Sequence, residues 1–297
     1  MTNSSTTERI FIIGGTGNAG TKTVQDLVSR NISVTLYARN PSKVAELFSE
    51  SPLIQVIHGD LADLTPLKEG LKGHTRLFLL YSNFEDFIEK KVAIAKLAYA
   101  AGIKQILDIS SITAGESWRS GYIGAMHRDA EQGILNIPNR GTLVVLRPGR
   151  FMSNILTFER PTPDGVMYDT VDASETQGWI SPNDIGAVAA AVLSEDIKKH
   201  GDMVYELIGD VVTLDERSSI ASRVLERPIR YQRVSTSGKY DQLMKTGMFP
   251  HGAAYNLSAS IPTVPPTTSI STGIPILIGR DPETLEQYIL SNKAYLS

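Results

Sequence analysis

Residues 9–20 read RIFIIGGTGNAG, an apolar run that stops abruptly at Gly14, Gly15, Gly17 and Gly20. A continuous run such as RIFII has no polar face, so it fits a strand buried on both sides. The chain must then turn at once, and the NAGTKTVQDLVSR that follows has helical spacing. Gly14 permits the dihedral that a strand-to-helix turn needs. Gly17 leaves room for a ligand to touch the backbone, and Gly20 lets the new helix pack closely on the strand.

The same rhythm recurs. ISVTLYA (32–38), LIQVI (53–57), TRLFLLY (75–81), KQILDIS (104–110) and TLVVLR (142–147) are short β-rich runs separated by helical patterns. In EDFIEKKVAIAKLAYAAG (85–102), Phe87, Val92, Ala95, Ala98 and Tyr99 fall on one side. The lysines fall on the other, and Gly102 stops the helix. Buried strands alternating with helices predict an α/β fold, a Rossmann-type doubly wound parallel sheet. With 41% apolar residues the chain has ample material for such a core.

After Gly149 the rhythm changes. FMSNILTFERPTPDGVMYDTVDASETQG (151–178) reads as loop-rich, and WISPNDIGAVAAAVLSED (179–196) as a helix capped by Asn183 or Asp184. MVYELIG (203–209) and PIRYQRV (228–234) read as strands, and TLDERSSIASRVLE (213–226) as an amphipathic helix. RDPETLEQYIL (280–290) should start with Asp281 as cap and Pro282 in the first turn. SASIPTVPPTTSISTGIP (258–275) reads as a proline- and threonine-rich loop. The expected organisation is a dinucleotide-binding domain over 1–150, to which 177–203 returns. A smaller α+β substrate domain comprises 151–176 and 204–297.

Glycines in a turn that follows a strand and opens a helix form a phosphate cradle, with the free N–H groups of the first helical turn facing the anion. Thr16, Asn18 and Ala19 complete that loop with Gly14, Gly17 and Gly20. The end of the second strand selects the dinucleotide, where an acid about 20 residues on would hold the ribose 2′-hydroxyl of NAD. This chain has YARNPSK there, with Arg39 in place of the acid and Lys43 a turn later. A guanidinium offers a fork of donors to a 2′-phosphate, so the expected cofactor is NADP(H). Asp60, with Leu61 beside it in GDLAD, either reaches the adenine or caps the next helix. Tyr81, Ser82 and Asn83 end the fourth strand and Ser110 and Ser111 the fifth, all along the carboxyl edge where such sheets bind ligands.

GGTGNAG, Arg39, GDLAD, DISSI and LRPGRFMSN (146–154) together resemble the NmrA-like family of atypical short-chain dehydrogenases, over essentially the whole chain. The resemblance implies NADP(H) binding, with Pro148 of LRPGRFMSN at the cofactor. It also implies one of two roles: an NADPH-dependent oxidoreductase for quinones, imines, carbonyls or dyes, or a non-catalytic NADP(H)-sensing regulator with a protein partner. The reductase is the favoured role, because Ser110, Ser111, His127 and the LRPGRFMSN segment are all kept. The Tyr-x-x-x-Lys pair of ordinary short-chain dehydrogenases is missing, since Tyr122 is followed four residues later by Met126. His127-x-x-x-Glu131 stands there instead, as in quinone- and dye-reductase-like members. Three roles are open to His127: proton donor, partner of the nicotinamide ribose, or structural mate of Glu131. Tyr122 is either a second candidate donor or a wall of the pocket. Phe151, Met152, Tyr168 and Trp179 are either pocket walls or core.

Other chemistries find no support. There is no cysteine, which removes disulfides and thiolate chemistry, and the five histidines (58, 74, 127, 200 and 251) lack metal-ligand spacing. A formal net charge of −3 gives no reason to expect nucleic acid or membrane as a partner. MTNSSTTERI lacks the apolar segment of a secretory signal, and no apolar run approaches the roughly 18 residues of a bilayer span. The expectation is a cytoplasmic monomer or homodimer acting on a small organic substrate.

Overall fold

A computed structural model describes residues 9–49, 51–259 and 269–296. Six strands, β1 (Ile10–Ile13), β2 (Val34–Ala38), β3 (Ile54–His58), β4 (Arg76–Leu79), β5 (Gln105–Ile109) and β6 (Thr142–Pro148), alternate with five helices. These are α1 (Asn18–Ser29), α2 (Pro41–Phe48), α3 (Thr65–Gly70), α4 (Phe87–Ala100) and α5 (Tyr122–Leu135). Beyond them come β7 (Arg150–Phe151), β8 (Val166–Asp169), β9 (Thr176–Ile180), α6 (Pro182–Ser194), α7 (Ile197–His200) and β10 (Val204–Leu207). The chain continues through β11 (Asp210–Thr213), α8 (Leu214–Leu225), β12 (Arg230–Arg233), α9 (Thr236–Lys245), α10 (His251–Ser258), α11 (Gly273–Ile278) and α12 (Leu285–Ser291).

The main sheet runs β3-β2-β1-β4-β5-β6-β10, so the chain winds outward from β1 in both directions. Ile10 is paired with Val34 on one side and Arg76 on the other, both in parallel register. Val145 N donates to Met203 O and Gly149 N to Leu207 O, an equal advance on both strands that makes β10 parallel too. This is the doubly wound Rossmann arrangement. Burial on both faces holds for β1, β2, β4 and β5. At the edge, β3 departs from it, with Gln55, Val56 and His58 exposed.

The chain divides into two compact units. One comprises Met1–Ser110, Asp129–Leu146 and Ile185–Tyr205, and the other Ser111–Arg128, Arg147–Asp184 and Glu206–Ser297. In the first, Phe11, Leu77, Leu79, Ile106 and Val145 of the sheet pack with Ile94 and Ala98 of α4 and Ile134 of α5. Lys91 overturns the expectation that the lysines of α4 face away. It is fully buried, held by Asp108 at 2.6 Å. In the second, Met152, Ile155, Trp179, Val224, Leu285 and Ile289 form a core. Met152 and Trp179 are therefore core rather than pocket walls.

Three local readings change. The stretch 151–178 carries β8 and most of β9, because Thr162 Oγ1 and Val166 close a turn that launches β8. Neither Asn183 nor Asp184 caps α6; Ser181, just before Pro182, accepts from Asn183 N at 3.0 Å. The last helix starts at Leu285 instead of Pro282, because Thr284 and Gln287 form a reciprocal capping box. Of the loop expected over 258–275, residues 260–268 lie outside the described residues, and 273–275 begin α11.

Candidate functional site

The loop between β1 and α1 is shaped by its glycines. Gly14 has φ +85°, and a Cβ there would come within 2.6 Å of Leu80 O. A Cβ on Gly20 would come within 2.1 Å of Gly14 O, so Gly20 holds the first turn of α1 against the loop. Gly17 differs. It is exposed, and its Cβ would meet only Gly14 O, at an ordinary 3.5 Å. The protein's own packing among the described residues therefore does not require glycine there. Gly17 is also the N-cap of α1, so the cap position has no side chain to accept from the helix N–H groups, and no acid sits in the first turn. An uncapped helix start beside an open glycine suits an anion. Thr16 is half-buried, Asn18 exposed and Ala19 buried in this loop.

Arg39 follows β2 and projects into solvent, its side chain 80% exposed, with Asp60 as a distant partner at 3.9 Å. Lys43 is exposed in the first turn of α2, which Asn40 caps by accepting from Lys43 N at 3.2 Å. Two cations thus stand at the end of β2. Asp60 does not cap a helix: its Oδ1 accepts from Ala62 N at 2.8 Å, within the loop, while α3 starts only at Thr65. Leu61 is half-buried against the core, and its carbonyl accepts from Lys90 at 2.6 Å.

Beyond β4 the polar groups are partly engaged. Tyr81 donates to Asp86 Oδ1 at 2.5 Å, and Asn83 donates to the same oxygen at 3.1 Å. Burial and Asp86 push the Tyr81 hydroxyl up to about 12, so it stays protonated. Ser82 is exposed. Beyond β5, Ser110 is buried and donates to Glu131 Oε1 at 2.5 Å. Ser111 caps a short 3₁₀ turn by accepting from Thr113 N. Pro148 is the buried last residue of β6.

On α5, His127 is half-buried four residues before Glu131. Tyr122 opens the helix and is 41% exposed; its ring covers Gly252, where a Cβ would approach to 2.8 Å. The α5 start is held by a residue missed in the sequence: Asn256 of α10 accepts from Ile123 N at 2.9 Å. A second missed group lies behind Ser110. Lys91 donates to Asp108 Oδ2 at 2.8 Å and to Ile109 O at 3.1 Å, fixing the end of β5. Burial pushes the Asp108 carboxyl up to about 6 despite Lys91, with Glu131 adding to the rise. The sequence signal was an acid inside an apolar strand, QILDIS. Among the described residues no cluster of metal-ligating side chains occurs, and no helix is long and apolar enough to cross a membrane.

A model of the NmrA-like family matches residues 6–270. The chain belongs to that family. Among its relatives is a (4-alkanoyl-5-oxo-2,5-dihydrofuran-3-yl)methyl phosphate reductase of Streptomyces griseus, 26% identical over 92% of this chain and 95% of the relative. An NAD(P)H azoreductase of Xenophilus azovorans is 24% identical over 96% of this chain and 98% of its own length. The crystal structure of an Escherichia coli NADPH-dependent quinone oxidoreductase, complexed with NADPH, superposes with a TM-score of 0.80. It is 25% identical and spans 96% of this chain and 99% of its own.

Proposed function

We propose that this NmrA-like protein is an NADPH-dependent reductase of small organic acceptors of the quinone, imine, carbonyl or dye type. The observation that carries the reading is the open Gly17 at the uncapped start of α1, followed one strand later by Arg39 and Lys43. Relatives named as an NAD(P)H azoreductase and an NADPH-dependent quinone oxidoreductase support it.

When bound, NADPH supplies a hydride donor. Gly14–Gly20, with Thr16, Asn18 and Ala19, hold the pyrophosphate on the N–H groups of α1, and Arg39 and Lys43 receive the 2′-phosphate. Asp60 and Leu61 border the adenine. Tyr81, Ser82, Asn83, Ser110, Ser111 and Pro148 line the carboxyl edge of the sheet along the rest of the cofactor. The segments 151–176 and 204–297 select the acceptor. His127 donates the proton where the acceptor needs one, and Tyr122 is the alternative donor. An acceptor whose reduced form is a stabilised anion takes its proton from water, and the site then contributes positioning alone. The protein acts in the cytoplasm.

The test follows loss of nicotinamide absorbance with a panel of quinones, aldehydes, imines and azo or triphenylmethane dyes, beside titration of NADPH and NADP+. Turnover with any one class is expected. Tight binding of both nucleotides with no turnover of any acceptor would overturn the reductase and leave a dinucleotide-responsive regulator.

A further inference from the structure

The second unit buries five ionisable side chains against one another. Lys239 Nζ lies 2.5 Å from Asp169 Oδ1, and Arg217 Nη1 lies 3.5 Å from Glu159 Oε2. Those two pairs are neutral between them. Arg150 is the fifth member, and it contacts both carboxylates through a single nitrogen, Nη1, at 3.1 Å from Glu159 and 3.4 Å from Asp169. Three cations therefore share two anions. Burial opposes the charge on Arg150, yet Glu159 and Asp169 outweigh it and keep the guanidinium protonated. A surplus charge in such a place is costly unless something completes it.

Arg150 is the most exposed of the five. Its side chain is 22% exposed, against 1% for Arg217, 10% for Lys239, 4% for Asp169 and 8% for Glu159. Among the described residues no hydrogen bond falls on its Nε or Nη2, the edge that binds carboxylates and sulfonates in a bidentate fork. The Arg150 guanidinium lies over buried Trp179, with Cζ 5.3 Å from the ring centroid. Arg150 also stands two residues beyond Pro148, where β6 ends at the carboxyl edge of the main sheet. That is the edge at which open α/β sheets hold ligands.

We infer that the free edge of Arg150 is a specificity site for an anionic substituent, a carboxylate or sulfonate, on a small planar acceptor. As a choice among acceptors it rests on the reductase reading, but the binding it describes does not. Glu159, Asp169, Arg217 and Lys239 are the frame that holds Arg150 charged and oriented. Arg150 takes no part in hydride or proton transfer.

The experiment titrates the full chain by calorimetry with a naphthalene sulfonate, the matching neutral naphthalene methanol, and sodium sulfate. It compares the natural protein with Arg150→Gln and Arg150→Lys. The sulfonate should bind about tenfold or more weakly to Arg150→Gln, with partial recovery in Arg150→Lys, while the neutral analogue is indifferent to either change. Equal sulfonate affinity in the natural protein and Arg150→Gln would overturn the inference, as would equal affinity for sulfonate and neutral analogue. Sulfate binding as tightly as the sulfonate would also overturn it, by showing an anion site without a planar acceptor. Arg150→Gln leaves two balanced pairs, so its melting midpoint should stay within a few degrees. A fall of roughly 10 °C or more would make Arg150 structural and sink the idea. In turnover, the preference for a naphthoquinone sulfonate over the parent naphthoquinone should fall about tenfold in Arg150→Gln. If no acceptor is reduced at all, the reductase reading fails while the calorimetry still decides this one.

Discussion

Arg39 and Gly17 separate binding from folding at single positions. Among the described residues Arg39 makes one long contact, to Asp60, and its side chain is largely in solvent, so removing its guanidinium costs the fold almost nothing. Its expected effect is on the ligand alone: Arg39→Ala should weaken NADPH by about ten- to a hundredfold, the range for losing a charge-assisted pair, and leave NADH nearly unchanged. Fluorescence titration of the two nucleotides checks this, and equal loss of both would refute the 2′-phosphate assignment. Gly17→Ala and Gly20→Ala make a matched contrast. A methyl on Gly17 meets nothing closer than 3.5 Å, whereas one on Gly20 would overlap the Gly14 carbonyl at 2.1 Å. Gly20→Ala should lower the melting midpoint clearly and Gly17→Ala hardly at all, while both weaken NADPH. A stable Gly20→Ala protein would contradict the packing role.

Elements were legible where their cause is local. The six alternating strands and the helices after them could be read from periodicity, because a strand buried on both faces shows as an unbroken apolar run. Even so β3, at the edge, is half in solvent although LIQVI reads much like its neighbours, since sheet position is not written in a pentapeptide. Helix starts misled where two capping signals compete. Asp281-Pro282 looked like a start, but the Thr284–Gln287 box lies three residues on and wins. Thr284→Ala should therefore cost about 1 kcal/mol in chemical denaturation, and Asp281→Ala next to nothing as a cap. The cradle and the cations after β2 were visible because both depend on a few consecutive residues. The Asn256 brace on α5 and the Lys91–Asp108 pair were not. Each joins residues far apart in sequence, and a lysine in a helix gives no sign that it points inward.

At the scale of the whole molecule, buried charge sets how stability responds to acid, and the two units respond in opposite senses. In the second unit burial alone would raise the Asp169 carboxyl, but Arg150, Lys239 and Arg217 overcome it and hold Asp169 well below the ordinary carboxylate range. The unfolded chain then takes up that proton first as pH falls. Asp169 therefore adds stability above about pH 4 that is lost in stronger acid. In the first unit burial raises Asp108 to about 6, above its unfolded value. Between about pH 4 and 6 the folded chain holds a proton that the unfolded chain has released, so this group makes stability fall as pH rises. Asp108→Asn removes that titration while leaving Asp169 in place. The variant will be less stable at neutral pH, because Lys91 loses its buried partner. Its distinguishing mark is slope. Denaturation free energy measured from pH 4 to 7 should decline through the window ending near 6 in the natural protein, and lack that decline in Asp108→Asn. Parallel curves would show that Asp108 titrates in the fold as it does in the unfolded chain, with Lys91 fully offsetting its burial.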